Sequence, residues 1–383
     1  MKRIAIIIRT DSWYGRGVVH GINKFALGKK WFFCLAAVGP EVLPQLRKWK
    51  PDGVIAQFFD RNIADRIHTL RIPVVNIAMK LPNLPFPNVG VDSHAVGRMA
   101  AEHFLDQGFR NFAFFGLKQS VWSATRGEGF SQKLAEAGFA KVHSLAESSD
   151  ANALPGWVDA DTPTAAWLRS LPKPVGIFAC NDVKTHELAL ICRMSGLRVP
   201  EDVALLGVDD DVFIQQIAWL PLSSIVLPLE LVGYEAAALL ERMMQGKRPP
   251  AQPILMPPVR VEARQSSAIL AIQVPAVARA LHYIREHAFE LITVKDISRA
   301  AAVNRRRLER MFRRDLDRTP HQEIIRIRVE RAKQLLSSTH LPMPLVAERS
   351  GFDSARRLTA NFRVTTGTSP SAYRRRFQLR DDG

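Results

Sequence analysis

Five side chains near the C-terminal end, Arg305, Arg306, Glu309, Arg310 and Arg313, recur at helical spacing, with Leu308, Met311 and Phe312 on the opposite stripe. Guanidinium groups present planar forks of donors that match phosphate oxygens or the O6/N7 edge of guanine. A helix apolar on one side and arginine-rich on the other suits the major groove of a duplex. A solvated basic helix would look the same if it stood alone. Here Arg356, Arg357, Thr359 and Arg363 repeat the layout about half a domain later, above Leu358 and Phe362. A second set of chemistry-bearing residues lies far upstream: Trp13, Tyr14, Arg16, Phe58, Asp60, Trp122, Arg126, Asp182 and Asp209. Asp and Arg form paired, charge-assisted bonds with polar groups of a ligand, and aromatic rings cover an apolar face of one.

The elements that must carry these residues follow from periodicity. Val294, Ile297, Ala300 and Ala301 predict a helix broken at Val303–Asn304, and Asn304 suits the N-cap of a reading helix over 305–315. Leu345, Val346 and Ala347, the turn Ser350-Gly351-Phe352 and a helix over 353–363 repeat the unit. Ile325, Val329, Ala332 and Leu336 predict one long helix between the two, with a single buried seam. Ser369-Pro370 opens a short closing helix.

Upstream, short apolar strands alternate with helices, the habit of a parallel α/β sheet. Strands are expected at 4–9, 32–38, 53–58, 74–79, 89–91, 112–116, 175–179 and 203–208. Helices are expected at 17–25, 93–107 (ending on Gly108), 126–137, 183–195 and 231–245. In open α/β sheets a ligand sits at the C-terminal ends of the strands, where the upstream candidates cluster. Some have plainer readings. Arg126, Asp182 and Asp209 could bridge the lobes by ion pairing, Arg16 could be a surface arginine at a helix start, Trp13 and Tyr14 could pack the hinge mouth, and Asp60 could cap the next helix.

Charge is unevenly placed. From Val274 onward there are 23 Lys+Arg against 12 Asp+Glu, whereas the preceding residues hold 30 against 25. The excess therefore sits with the doubled helix units and argues for a polyanionic partner there. Cys34, Cys180 and Cys192 show no pairing pattern and read as buried thiols in a reducing compartment. The opening apolar run is too short for a signal peptide and no run reaches membrane-spanning length, so a cytoplasmic location without membrane contact is expected. No phosphate-cradling glycine loop, no nucleophile elbow and no metal-spaced His/Cys cluster appears, so neither an enzyme nor a cofactor or metal is expected.

From Ile297 to Arg374 the chain resembles the DNA-binding domain of AraC-type transcription regulators. The resemblance rests on Ile297, Leu308, Arg310, Phe312, Pro320, Arg328, Ala332, Leu335, Leu336, Gly351, Phe352, Phe362, Gly367, Ser369, Pro370, Tyr373 and Arg374. It implies that Arg306, Glu309, Arg310, Arg356 and Thr359 face bases while Arg305, Arg313, Arg357 and Arg363 grip phosphates. The front of the chain resembles the core of LacI-type repressors and periplasmic sugar-binding proteins. This is carried by Pro51-Asp52-Gly53-Val54-Ile55, Gly108-Phe109-Arg110, Arg126 with Gly129-Phe130, Asn181-Asp182, Gly196-Leu197-Arg198-Val199-Pro200 and Gly207-Val208-Asp209-Asp210. It implies sugar contacts from Arg126, Asp182 and Asp209. LacI-type repressors begin with their own DNA-binding unit, whereas this chain opens directly on a strand. The order of the two parts resembles the xylose-operon regulators, which implies a pentose effector (D-xylose the candidate), a homodimer on promoter half-sites of double-stranded DNA, activation, and RNA polymerase as a further partner. Gln57 and Phe59 stand where that family has acidic side chains, a departure that weakens the case for xylose itself.

The expected architecture is thus an α/β two-lobed periplasmic-binding-protein-like domain with parallel sheets flanked by helices, followed by an all-α domain with two helix-turn-helix motifs. The expected ligand domain is 1–268, with lobe one at about 1–110 and 228–248 and lobe two at about 111–227 and 249–268. A linker at 269–274 and a DNA-binding domain at 275–383 follow. A sugar-binding receptor or sugar-converting enzyme with a basic helical interaction domain is the alternative reading.

Overall fold

The computed structural model describes residues 1–36, 39, 41–147, 161–268 and 274–377. The first lobe is built from β1 (Lys2–Ile7), α1 (Trp13–Ala26), β2 (Trp31–Ala36), α2 (Val42–Trp49), β3 (Gly53–Ala56), α3 (Arg61–His68), β4 (Val74–Asn76) and β5 (Val89–Val91). Its sheet runs β2-β1-β3-β4, all parallel. Continuous apolar strands such as Val54-Ile55-Ala56 are buried completely, as a sheet covered on both faces requires.

The second lobe follows with α4 (Ser93–Asp106), β6 (Phe112–Leu117), α5 (Val121–Glu136), β7 (His143–Glu147), α6 (Pro163–Ser170), β8 (Val175–Ala179), α7 (Asp182–Met194), β9 (Val203–Val208), α8 (Val212–Ile217) and β10 (Ser223–Val226). The chain then returns through α9 (Leu229–Met244) and β11 (Ile254–Met256) to β12 (Arg260–Glu262). This sheet runs β12-β10-β9-β8-β6-β7, parallel except where β12 lies antiparallel to β10. β11 pairs with β5 of the first lobe, so three segments cross between lobes. They are tied together: Asp92 N–H donates to Met256 O, and Val259 N–H to Val226 O.

Two lobe limits differ from expectation. α4 packs on α5 and touches β8, β10 and β12, which places it in the second lobe, while β11 joins the first. Gly97 makes the α4–α5 approach feasible, since a Cβ there would stand 1.9 Å from Arg126 O. Two helices begin about a full turn earlier than expected. α1 starts at Trp13 because the Ser12 hydroxyl caps it by accepting from Gly15 N–H. α5 starts at Val121, so Trp122 and Arg126 lie on one helix. β1, β3 and β4 end two or three residues sooner than their apolar runs, and those last residues form the loops of the cleft. The end of the strand expected at 32–38 lies outside the described residues. α3 is the helix that Asp60 was expected to cap, whereas α2, α6, α8, β7 and β10 were not foreseen, and Pro44, tolerated in the first turn of α2, disguised that helix.

The C-terminal unit comprises α10 (Pro275–His287), α11 (Val294–Ala300), α12 (Arg305–Leu316), α13 (Pro320–Ser338), α14 (Met343–Arg349), α15 (Ala355–Thr366) and α16 (Pro370–Phe377). It holds two small cores. Val277, Leu281, Ile284, Ile297, Leu308 and Phe312 form one, and Val346, Phe352, Leu358, Phe362 and Tyr373 the other. α13 gives Ile324 to the first and Val329, Ala332 and Leu336 to the second, so one rod fixes both units. Gly351 makes the second turn at φ +79°, where a Cβ would meet the Phe289 backbone at 2.8 Å. The matching turn of the first unit uses Ala302 at φ 55°. Residues 269–273 of the linker expected at 269–274, and the end at 378–383, lie outside the described residues.

The helical unit docks on the second lobe. Asp106 accepts from Arg318 at 2.8 Å and pairs with Arg326 at 3.0 Å. Glu323, fully buried, pairs with Arg326 at 2.7 Å and with Arg318. Burial alone would raise Glu323, but Arg326, Arg318 and Arg285 overcome it and hold the carboxyl down at about 2. Asp106 shifts the other way, because burial outweighs its two arginines. Arg110 donates to Asp315 O at 3.1 Å, and the Tyr373 hydroxyl donates to Val259 O, on the third crossing segment, at 2.8 Å.

Candidate sugar cleft and nucleic-acid interface

The cleft forms where loops at the C-terminal ends of β1, β3, β4, β8 and β9 meet the first turns of α1, α4 and α5. Ser12, Tyr14, Gln57, Phe59, Met79, Lys80, Ser93, Trp122, Arg126, Asn181 and Asp209 line a cavity of about 90 Å³. The first lobe's side is braced from within. Gln57 accepts from Arg9 N–H at 2.9 Å, and the Tyr14 hydroxyl donates to Ile77 O at 2.9 Å. Burial pushes the Tyr14 hydroxyl pKa up, which keeps it a neutral donor. The Phe59 ring lies beneath the Lys80 ammonium, 5.0 Å from its centroid.

On the second lobe's side, Arg126 projects from the second turn of α5 and is 5% exposed. Its guanidinium donates to Cys180 O and stacks 4.6 Å from the Trp122 ring centroid. Its Nε is buried and has no hydrogen-bond partner among the described residues. Asp209 faces it with φ 111°, a conformation rarely adopted by a non-glycine residue and one that recurs at ligand clamps. Burial raises the Asp209 carboxyl, Arg126 counters only in part, Asp211 adds to the rise, and the result is about 7.

The structure gathers Tyr14, Trp122, Arg126 and Asp209 on this cavity. Trp13, Arg16 and Asp182 line a neighbouring pocket, together with Asp11, Asp211 and Phe213, that shares Ser12, Tyr14, Asn181 and Asp209 with this cavity. Asp182 is turned inward, accepting from Ser224 Oγ at 2.7 Å and from Asp211 N–H at 2.9 Å, and burial raises its pKa well above the carboxylate range. Arg16 is exposed and donates to Thr10 O at 3.0 Å. Two candidates fall elsewhere. Phe58 is a core residue stacked on Phe86 at 5.0 Å, because the side chain next to the cleft is Phe59. Asp60 caps α3 by accepting from Asn62 N–H at 2.7 Å. Lys80 and Ser93 went unnoticed, and Asn181 was noted only as a neighbour of Asp182, as nothing in their spacing marks a residue that only the fold brings to the cleft.

The helical unit presents two arginine faces. On α12, Arg306, Arg310 and Arg313 are exposed at i, i+4 and i+7 opposite buried Leu308 and Phe312, and Arg305 pairs with Glu309 at 2.8 Å. On α15, Arg356, Arg357 and Arg363 are exposed opposite Leu358 and Phe362. Arg357 pairs with Asp353 at 2.6 Å, and the Thr359 hydroxyl donates to Ala355 O at 2.8 Å. Both helices begin on side-chain N-caps, Asn304 and Ser354. No helix among the described residues is long and apolar enough to cross a membrane.

Comparison with known proteins agrees with this layout. Residues 3–88 match the family described as XylR N-terminal domain, 101–267 a periplasmic binding protein-like domain and 297–376 a helix-turn-helix domain. The fold and these matches define the class: a sugar-responsive, DNA-binding transcription regulator, not an enzyme. The xylose operon regulatory protein of Escherichia coli (strain K12) is 30% identical over 97% of this chain and 96% of its own length. That of Haemophilus influenzae is 28% identical over 97% and 98%. A solved structure described as the xylose-binding transcription activator xylR superposes with a TM-score of 0.59, at 28% identity and 97% coverage of both chains. This chain belongs to the family of xylose operon regulatory proteins.

Proposed function

We propose that the cleft takes a pentose-sized sugar effector, D-xylose being the first candidate from the relatives' names, and that its occupancy resets how α12 and α15 sit on a promoter. The observation that carries this reading is the Trp122–Arg126–Asp209 cluster at the lobe junction, with a stacked ring, a buried guanidinium and a carboxylate on one cavity. Arg126 and Asp209 bind polar groups of the sugar, Trp122 covers an apolar face, and Trp13, Tyr14, Arg16 and Asp182 shape the mouth. A sugar that touches both lobes favours their closed arrangement, because only then are all its bonds made.

Arg306, Glu309, Arg310, Arg356 and Thr359 face base edges, and Arg305, Arg313, Arg357 and Arg363 face phosphates. With α13 as a fixed spacer, the two readers enter successive major grooves ~34 Å apart. The protein works in the cytoplasm as a homodimer on tandem half-sites, activating through RNA polymerase. The ligand domain covers 1–268 and the DNA domain 275–383. A gel-shift titration with a pentose and hexose panel tests the coupling. A sugar-dependent change of affinity or footprint is expected, and DNA binding indifferent to every sugar defeats it.

A further inference from the structure

The charge of the cleft says more about the effector than its shape does. Neutral sugars are held chiefly through hydroxyl donors, which need carboxylate or amide acceptors. Asp209 is the single carboxylate lining the cavity among the described residues, while two cations line it, Lys80 and Arg126. Neither cation has a carboxylate of the described residues within the 4.0 Å of an ion pair. Lys80 rests on the Phe59 ring, and Arg126 keeps a buried Nε with no partner. Nearby Arg9 differs, being matched by Asp11 at 2.7 Å.

Building on the reading of this cleft as a sugar site, we infer that the natural effector is an acidic sugar, a pentose-sized body carrying a carboxylate or phosphate group, and that Lys80 with Arg126 receives the anion. A buried, unpaired guanidinium loses hydration that an anionic ligand restores, and an ammonium on the same cavity adds attraction inside a low-dielectric space. Burial raises the Asp209 carboxyl and so weakens the one negative charge on this cavity among the described residues. The competing account is a lysine whose stem covers Phe59 while its ammonium stays in water.

Thermal shift and calorimetric titration of the full chain separate the two. The probes are D-xylose, D-xylonate and D-xylulose 5-phosphate, with acetate and inorganic phosphate as controls for anions lacking a sugar body. One acid sugar is expected to bind at least tenfold more tightly than D-xylose, and which of the two does so identifies the anion. Lys80→Met keeps the stem and should abolish that preference, and Lys80→Arg should restore most of it. The melt of unliganded Lys80→Met checks that the variant folds. Equal or tighter binding of the neutral sugar, or a preference untouched by Lys80→Met, overturns the inference and leaves the sugar-effector reading standing. If no sugar, acid or neutral, shifts the melt or the DNA affinity, that reading falls as well.

Discussion

Arg318, just beyond the end of α12, donates to Asp106, the last residue of α4, at 2.8 Å, and so ties the first helix-turn-helix unit to the second lobe. Arg326 joins the same carboxylate and shares buried Glu323 with Arg318. The helical unit is therefore seated on the second lobe and on the crossing segment at Val259.

Removing Asp106 leaves two arginines facing a single carboxylate. Asp106→Ala should cost about 2 kcal/mol, less than a fully buried pair because the side chain keeps 28% exposure. In the full chain, calorimetry should show the helical unit melting ahead of the rest, and the effector-dependent change in DNA affinity should shrink. Full coupling in the variant would assign transmission to the covalent linker instead.

The reader faces can be told apart by DNA variants. Arg310→Ala should lose about 1–3 kcal/mol on the cognate site and relax base choice there. Arg313→Ala should weaken cognate and random duplexes alike and lower the salt slope by about one ion. Equal losses from Arg310→Ala on both duplexes would make it a phosphate contact.

Asp209 sets a pH dependence. Its folded pKa of about 7 lies above the usual 3.8, so the native state binds its proton more readily than the unfolded chain. Stability from this group is intact below about 4 and is lost as pH rises toward 7 and beyond. The surroundings account for the direction: burial first, Asp211 adding to it and Arg126 opposing, with Asp182, Tyr14 and Cys180 also close enough to feel the charge. Asp209→Asn should thus stabilise the unliganded protein on the order of 2 kcal/mol at pH 8 and hardly at all at pH 4. Melting curves across that range check it. An advantage that shrinks with rising pH would reverse the assignment.

The two helix-turn-helix turns make an internal control. Gly351 adopts its left-handed turn at no steric cost, whereas Ala302 pays for the same backbone region. Ala302→Gly should stabilise the helical unit by about 0.5–1 kcal/mol, net of the entropy glycine adds to the unfolded chain, as chemical denaturation would read.

The fold was largely legible because its signals are local. The caps Asn304 and Asp60, the seam of α13 and the buried runs of β5, β8 and β9 can be read from neighbours in sequence. The cleft was legible only in part. Trp122, Arg126 and Asp209 announce themselves by type, but Phe58 and Phe59 are adjacent and chemically alike, and the loop that follows β3 decides which one turns into the core. Asp182 has the right type, yet Ser224 and the Asp211 N–H hold it inward across a long sequence separation. Lys80 and the Asp106–Arg318–Glu323–Arg326 network escaped for the same reason, being made by tertiary neighbours. The lobe limit near 110 was misplaced because α4 has no mark in its own residues of which sheet it covers.

Tyr373 sits in the core of the last helical unit, yet its hydroxyl ends on the backbone of the inter-lobe segment at Val259. The two halves of this chain are consequently not interchangeable parts. A chimera that grafts a foreign C-terminal reader at residue 274 would inherit a mating surface cut for other side chains, and it should bind DNA while ignoring the effector. Transplanting the residues around Asp106, Arg110 and Val259 along with the reader should bring the response back.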